Sequence, residues 1–146
     1  MKEDSLPAPS EEKLRELNAK AHARCFTHVS KENGGLGVTF DLLENGEVRA
    51  EWNAPEGLES YENVLHGGIQ ATLMDSAMVQ ALFARGIIGR TGEMIIRYHG
   101  PVDPHEKIVI TGKLVTAYPP LYKLEAAVYQ NDVLRASAKA KFMSRF

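Results

Sequence analysis

Residues 61–78 read Tyr61-Glu62-Asn63-Val64-Leu65-His66-Gly67-Gly68-Ile69-Gln70-Ala71-Thr72-Leu73-Met74-Asp75-Ser76-Ala77-Met78. A loop carrying paired glycines runs into an apolar segment that continues to about Ala84 without a proline. This pattern predicts a loop-to-helix junction with Gly67 and Gly68 at its start. Neither glycine has a side chain, so a ligand can approach their backbone N–H groups closely. The first N–H groups of a helix lack internal partners and carry partial positive charge, which suits them to a negative oxygen.

The helix itself is unusual. Ile69, Leu73, Ala77 and Ala81 share one side, and Gly68, Ala71, Met78, Val79 and Leu82 share another. A helix apolar nearly all round is a buried one. Asp75 lies within the second set, in line with Gly68 before it and Leu82 after it. A carboxylate among small apolar side chains costs stability unless it is paired or hydrogen-bonded. The plain structural account makes Asp75 exposed or ion-paired. Because unpaired buried aspartate is rare, a chemical role is the better account.

Outward from this helix, the N-terminal side begins with a polar stretch that reads as a loose tail over residues 1–10, with Pro7 and Pro9 as breakers. Residues 11–146 then read as a single domain. Ser10 ahead of Glu11 and Glu12 is a helix cap, and Leu14, Leu17 and Ala21 recur at helical spacing, predicting an amphipathic helix from Glu11 to about Phe26. Gly34, Gly35 and Gly37 have no helix signature after them and are not a phosphate loop. Leu36 to Leu43 reads as a strand, Glu44-Asn45-Gly46 as a hairpin turn with positive φ at Asn-Gly, and Glu47 to Asn53 as a half-buried strand. Beyond the central helix, four more strands are expected over Thr91–His99, Lys107–Ala117, Leu121–Gln130 and Val133–Phe142. One long apolar helix with about six strands is an α+β layer arrangement.

Bulk properties exclude several functions. A net charge of −2 offers no basic field for nucleic acid or an anionic membrane. No apolar run is long enough to cross a bilayer, and no secretory leader is visible. The single cysteine, Cys25, excludes an internal disulfide and fits a reducing, cytoplasmic compartment. His22, His28, His99 and His105 show no metal-ligand spacing, and no Cys/His cluster supports zinc. No Gly-x-Ser-x-Gly elbow is present for a serine triad.

His66-Gly67-Gly68, with Leu73 and Asp75 on a small-residue helix and Ile95-Ile96-Arg97-Tyr98 before Pro101, resembles the hotdog-fold acyl-CoA thioesterases. Among these it is most similar to the phenylacetate-pathway group and its animal relatives. The resemblance covers roughly Leu36 to Phe142. It implies a curved antiparallel sheet around the central helix. It also implies pairing of sheets edge to edge into a homodimer, and often a second pairing into a homotetramer. The implied reaction is acyl-CoA hydrolysis, with no metal or organic cofactor.

A thioester hydrolase must stabilise an oxyanion and supply a nucleophile or a base. The N–H groups of Gly67 or Gly68 suit the first task, and the carboxylate of Asp75 the second, as general base or nucleophile. About 10 Å of helix separates Gly68 from Asp75, so one chain bridges the gap poorly. An antiparallel neighbouring helix closes it, which predicts two composite sites in a twofold dimer. His66 orders the turn, the favoured reading, or else touches substrate or acts in catalysis. Asn63 orients water or holds its loop. In the resembling enzymes a polar side chain near Thr91 reaches the reaction centre. Many of those relatives carry Asn or Gln where this chain has Ser60, a shorter group with one hydroxyl. Arg90, Arg97 and Lys107 are candidates for the phosphates of coenzyme A, against the ordinary reading of solvated charge. Met74, Met78 and Phe83 read as core or acyl-pocket wall. Because of Ser60, the alternative is a non-catalytic acyl-thioester binding module. A dehydratase on a related scaffold ranks last, since it needs a His–carboxylate pairing not seen here.

Overall fold

The structure, a computed structural model, describes residues 6–145. The elements are α1 (Glu11–Ala21), a 3-10 turn (Lys31–Asn33), β1 (Asp41–Leu42), β2 (Val48–Trp52), β3 (Glu59–Tyr61), β4 (Val64–Leu65), α2 (Gly67–Phe83), β5 (Arg90–Tyr98), β6 (Ile108–Tyr118), β7 (Leu121–Gln130) and β8 (Val133–Met143). Six strands form one antiparallel sheet in the order β1-β2-β6-β7-β8-β5, and β3 pairs with β4 in a separate hairpin. The expected α+β architecture is present: a curved sheet around one long helix, flanked by an N-terminal helix.

The alternation of β6, β7 and β8 decides which way the sheet faces. Ile108, Ile110, Leu124, Ala126, Val128, Ala136, Ala138, Ala140 and Phe142 are buried against the helix side. Their neighbours Lys113 and Glu125 pair across the outer face at 3.8 Å. α2 contributes Leu73, Met74, Met78, Leu82 and Phe83, all essentially without solvent exposure. Burying each such side chain is worth about 1.5–3 kcal/mol. The helix lies so close to β6 that a Cβ on Gly112 would come within 2.5 Å of the Ala77 carbonyl oxygen.

The structure departs from the sequence reading in several places. α1 ends at Ala21 rather than near Phe26, because Cys25 N–H turns back to His22 O and both His28 and Val29 N–H turn back to Cys25 O. Of the stretch 36–43, only Asp41–Leu42 is paired strand. Leu36, Val38 and Phe40 still alternate into the core, but the N–H groups of Leu36 and Val38 bond to the carbonyls of Phe26 and Thr27, outside the sheet. In the Glu44-Asn45-Gly46 turn only Gly46 takes positive φ (87°), while Asn45 Oδ1 accepts the N–H of Glu47 at 3.0 Å. The β3–β4 hairpin was not visible in the sequence. Of the expected tail, residues 1–5 lie outside the described residues. From Leu6 onward the chain is docked: Leu6 packs against the core, and Ser10 N–H donates to Ala84 O at 2.7 Å.

Candidate active site

His66 occupies the cap position of α2, and its Nδ1 accepts the N–H of Gly68 at 2.9 Å. Its carbonyl accepts from the N–H groups of Ile69 and Gln70 at 3.0 and 3.1 Å. Gly68 therefore has its donor committed. Gly67 is the first helical residue, so its own N–H has no partner within the helix. The Gly67 carbonyl is held from outside: Tyr98 Oη donates to it at 2.7 Å. Burial pushes the Tyr98 phenol above its ordinary value, which keeps the hydroxyl a donor. The Thr72 hydroxyl donates to the Gly68 carbonyl at 3.0 Å, tying the junction to the next turn.

Asp75 sits two turns further along α2, half-buried. Its Oδ1 accepts a hydrogen bond from the Thr91 hydroxyl at the start of β5. It appears in none of the ion pairs found among the described residues. β5 thus touches both points of interest, with Thr91 at one end on Asp75 and Tyr98 at the other on Gly67. The two points themselves remain apart, because eight residues of helix span about 12 Å.

The other candidates gather around rather than at these points. Ser60 and Asn63 are exposed in the β3–β4 hairpin. Asn63 has a φ of 61°, and its N–H donates to the Glu59 carboxylate at 3.1 Å, so its backbone shapes the hairpin tip. Arg90 and Arg97 are exposed on β5. Lys107 pairs with Glu51 at 3.5 Å. Met74, Met78 and Phe83 are core residues. In the sequence Tyr98 belongs to a strand and to the Ile95-Ile96-Arg97-Tyr98 run, with no role assigned to its hydroxyl. Its partner lies 31 residues away, and no local signal marks that contact.

His22, Cys25 and His28, which show no familiar ligand spacing in the sequence, converge in space: one ligand atom from each lies within 4.8 Å of the other two. Burial lowers the pKa of both imidazoles. For His22 the neighbouring His28 adds to this and the charge of Asp75 opposes it, while for His28 the hydrogen bond to the Val38 carbonyl opposes it.

Comparison with known proteins identifies the family. The model of the thioesterase superfamily matches residues 62–138, just over half of the chain. Acyl-coenzyme A thioesterase 13 of Homo sapiens is 33% identical over 105 residues, covering 70% of this chain and 71% of that protein. The PaaI protein of E. coli, from its phenylacetic acid degradation operon, superposes with a TM-score of 0.74 at 16% identity, covering 90% of this chain and 93% of its own. A Streptococcus mutans protein solved with acetyl CoA gives a TM-score of 0.67 at 20% identity, over 73% of this chain and 86% of that one. At these identities the two solved structures speak for the fold, and the family match with the human relative speaks for more: this chain belongs to the thioesterase superfamily and carries its hotdog fold.

Proposed function

We propose that the protein hydrolyses acyl-CoA thioesters to a free acid and coenzyme A, at sites shared between two copies of the chain. The observation that carries this reading is the double attachment of β5. That strand ends the sheet, so one of its edges has no strand beside it among the described residues. Such an edge is a template for another strand. An antiparallel pair of β5 strands, centred near Met94 and Ile95, sets Thr91 of one copy opposite the partner's Tyr98. Asp75 then comes beside the partner's Gly67, and the twofold generates a second identical site.

The chemistry follows from the groups so assembled. The acyl carbonyl points its oxygen at the Gly67 N–H, which strengthens its hold as negative charge develops on that oxygen. Asp75 of the other copy either takes a proton from an attacking water or attacks the carbonyl itself. Collapse of the tetrahedral species expels the coenzyme A thiolate, which is protonated on release. Water attack leaves the carboxylic acid directly, whereas attack by Asp75 leaves an acyl anhydride on its carboxylate that a water then hydrolyses to the acid and free Asp75. Thr91 orients the Asp75 carboxylate in either route. Exposed Arg90 and Arg97 on the same strand are suited to the phosphates of coenzyme A. The human relative's name and the acetyl CoA seen with the Streptococcus mutans protein support this substrate class.

Complementation tests the shared site. Asp75→Ala and Gly67→Pro chains, each inactive alone, are co-expressed and their free-thiol release from acyl-CoA is measured. Every mixed dimer then holds one intact site, so random pairing restores about a quarter of wild-type turnover. A mixture that stays inactive despite proven mixed dimers contradicts the shared site. Wild-type binding of acyl-CoA without thiol release identifies a binding module instead.

A further inference from the structure

We propose that His22, Cys25 and His28 form a binding site for one Zn²⁺ ion, built from residues that take no part in the thioester chemistry proposed above. The cluster arises from local folding just past the end of α1. Two successive tight turns, closed by Cys25 N–H to His22 O at 3.1 Å and His28 N–H to Cys25 O at 3.0 Å, bring the three residues round at intervals of three. Residues three apart in such turns eclipse one another, so their side chains project from one side. One ligand atom from each lies within 4.8 Å of the others, and all three residues are half-buried.

A second observation points to a ligand. His22 Nδ1 is a buried nitrogen with no hydrogen-bond partner. Buried polar atoms are rarely left in that condition. His28 is held in a different way: its Nδ1 lies 3.0 Å from the Val38 carbonyl and its Nε2 lies 2.9 Å from the Gln80 amide nitrogen. Since the carbonyl only accepts, Nδ1 carries the proton and Nε2 presents its lone pair. A ring that donates one N–H to a backbone carbonyl is the usual arrangement of a metal-bound histidine. The Gln80 amide now donates to that lone pair and also to Asn18 Oδ1 at 2.7 Å, so it keeps a partner when a cation replaces it.

One thiolate and two imidazoles select a borderline-soft cation over magnesium or calcium. Around zinc, such ligands lie about 3.4–3.6 Å apart, given the usual bond lengths. Side-chain rotation of about 1 Å closes the cluster from its present spread. The fourth position is left to water. Ligation pins the end of α1 to α2, because His22 stacks edge-on against Phe83 at 4.7 Å and His28 reaches Gln80.

The full-length protein, stripped with a chelator, is titrated with Co²⁺ as an optical surrogate for Zn²⁺. The expected result is one equivalent bound, a cobalt–thiolate charge-transfer band, and displacement by Zn²⁺. Cys25→Ser removes the band. His22→Gln and His28→Gln each lower affinity at least about tenfold. His105→Gln, at an exposed histidine outside the cluster, changes nothing. Absence of the thiolate band in folded wild-type protein overturns the proposal, and so does unchanged affinity in Cys25→Ser. Thioesterase activity is not the readout, so failure here is distinct from failure of the hydrolase reading.

Discussion

Gly67 and Gly68 are adjacent and chemically alike, yet their donors differ in availability because His66 Nδ1 has already accepted one of them. Gly67 is also the first residue of α2, where proline is tolerated. The preceding His66 has a ψ of 131°, which a following proline accepts. Gly67→Pro therefore removes one N–H while preserving the helix start. We expect kcat to fall by about 10²–10³ with thermal stability nearly unchanged, measured by thiol release and calorimetry. Unaltered kcat would show that another donor meets the oxyanion. Tyr98 acts one step back, through the Gly67 carbonyl. Tyr98→Phe leaves the ring in place and removes the 2.7 Å hydrogen bond. Its stability cost should stay near 0.5–1.5 kcal/mol. A role in positioning lowers kcat with little change in KM, whereas a merely structural role leaves both constants intact.

At the scale of elements, the contact of α2 with β6 holds the site together. Gly112 gives the helix room, since any Cβ there meets the Ala77 backbone rather than a side chain that can swing aside. Overpacking against backbone costs about 1–3 kcal/mol, or more where nothing can yield. Gly112→Ala should lower the denaturation midpoint accordingly, and equal midpoints in matched urea titrations would show that the helix shifts freely. The start of α2 and the alternation of β6, β7 and β8 were readable because helix capping and period-two burial are local properties. The stretch 36–43 misled for the opposite reason. Its alternating side chains are those of a strand, but its N–H groups go to the loop at Phe26 and Thr27. The pattern reports which face is buried and not which chain supplies the hydrogen bonds.

For the whole molecule, the exposed face of β5 is the decisive feature. Ile95 is 66% exposed and Tyr98 50%, unusual for large apolar side chains on a strand of nine residues. Pairing at this edge would cover them and would complete two sites at once. Ile95→Lys places like charges close together across the proposed twofold, which is unfavourable for pairing. We expect sedimentation to show a shift toward monomer and turnover to fall in step with the dimer fraction. A monomer with full activity would show that one chain suffices.

The residues alone determined the helix with its stranded carboxylate, the paired glycines before it and the alternating strands, because each depends on spacing of a few positions along the chain. Only the folded arrangement decided that His66 engages Gly68 and leaves Gly67 open, since histidine bonds through either nitrogen. The same holds for Thr91 on Asp75, Tyr98 on Gly67, and the meeting of His22, Cys25 and His28. Contacts of this kind depend on where loops and strand ends come to rest after the core has packed, and no periodicity encodes that.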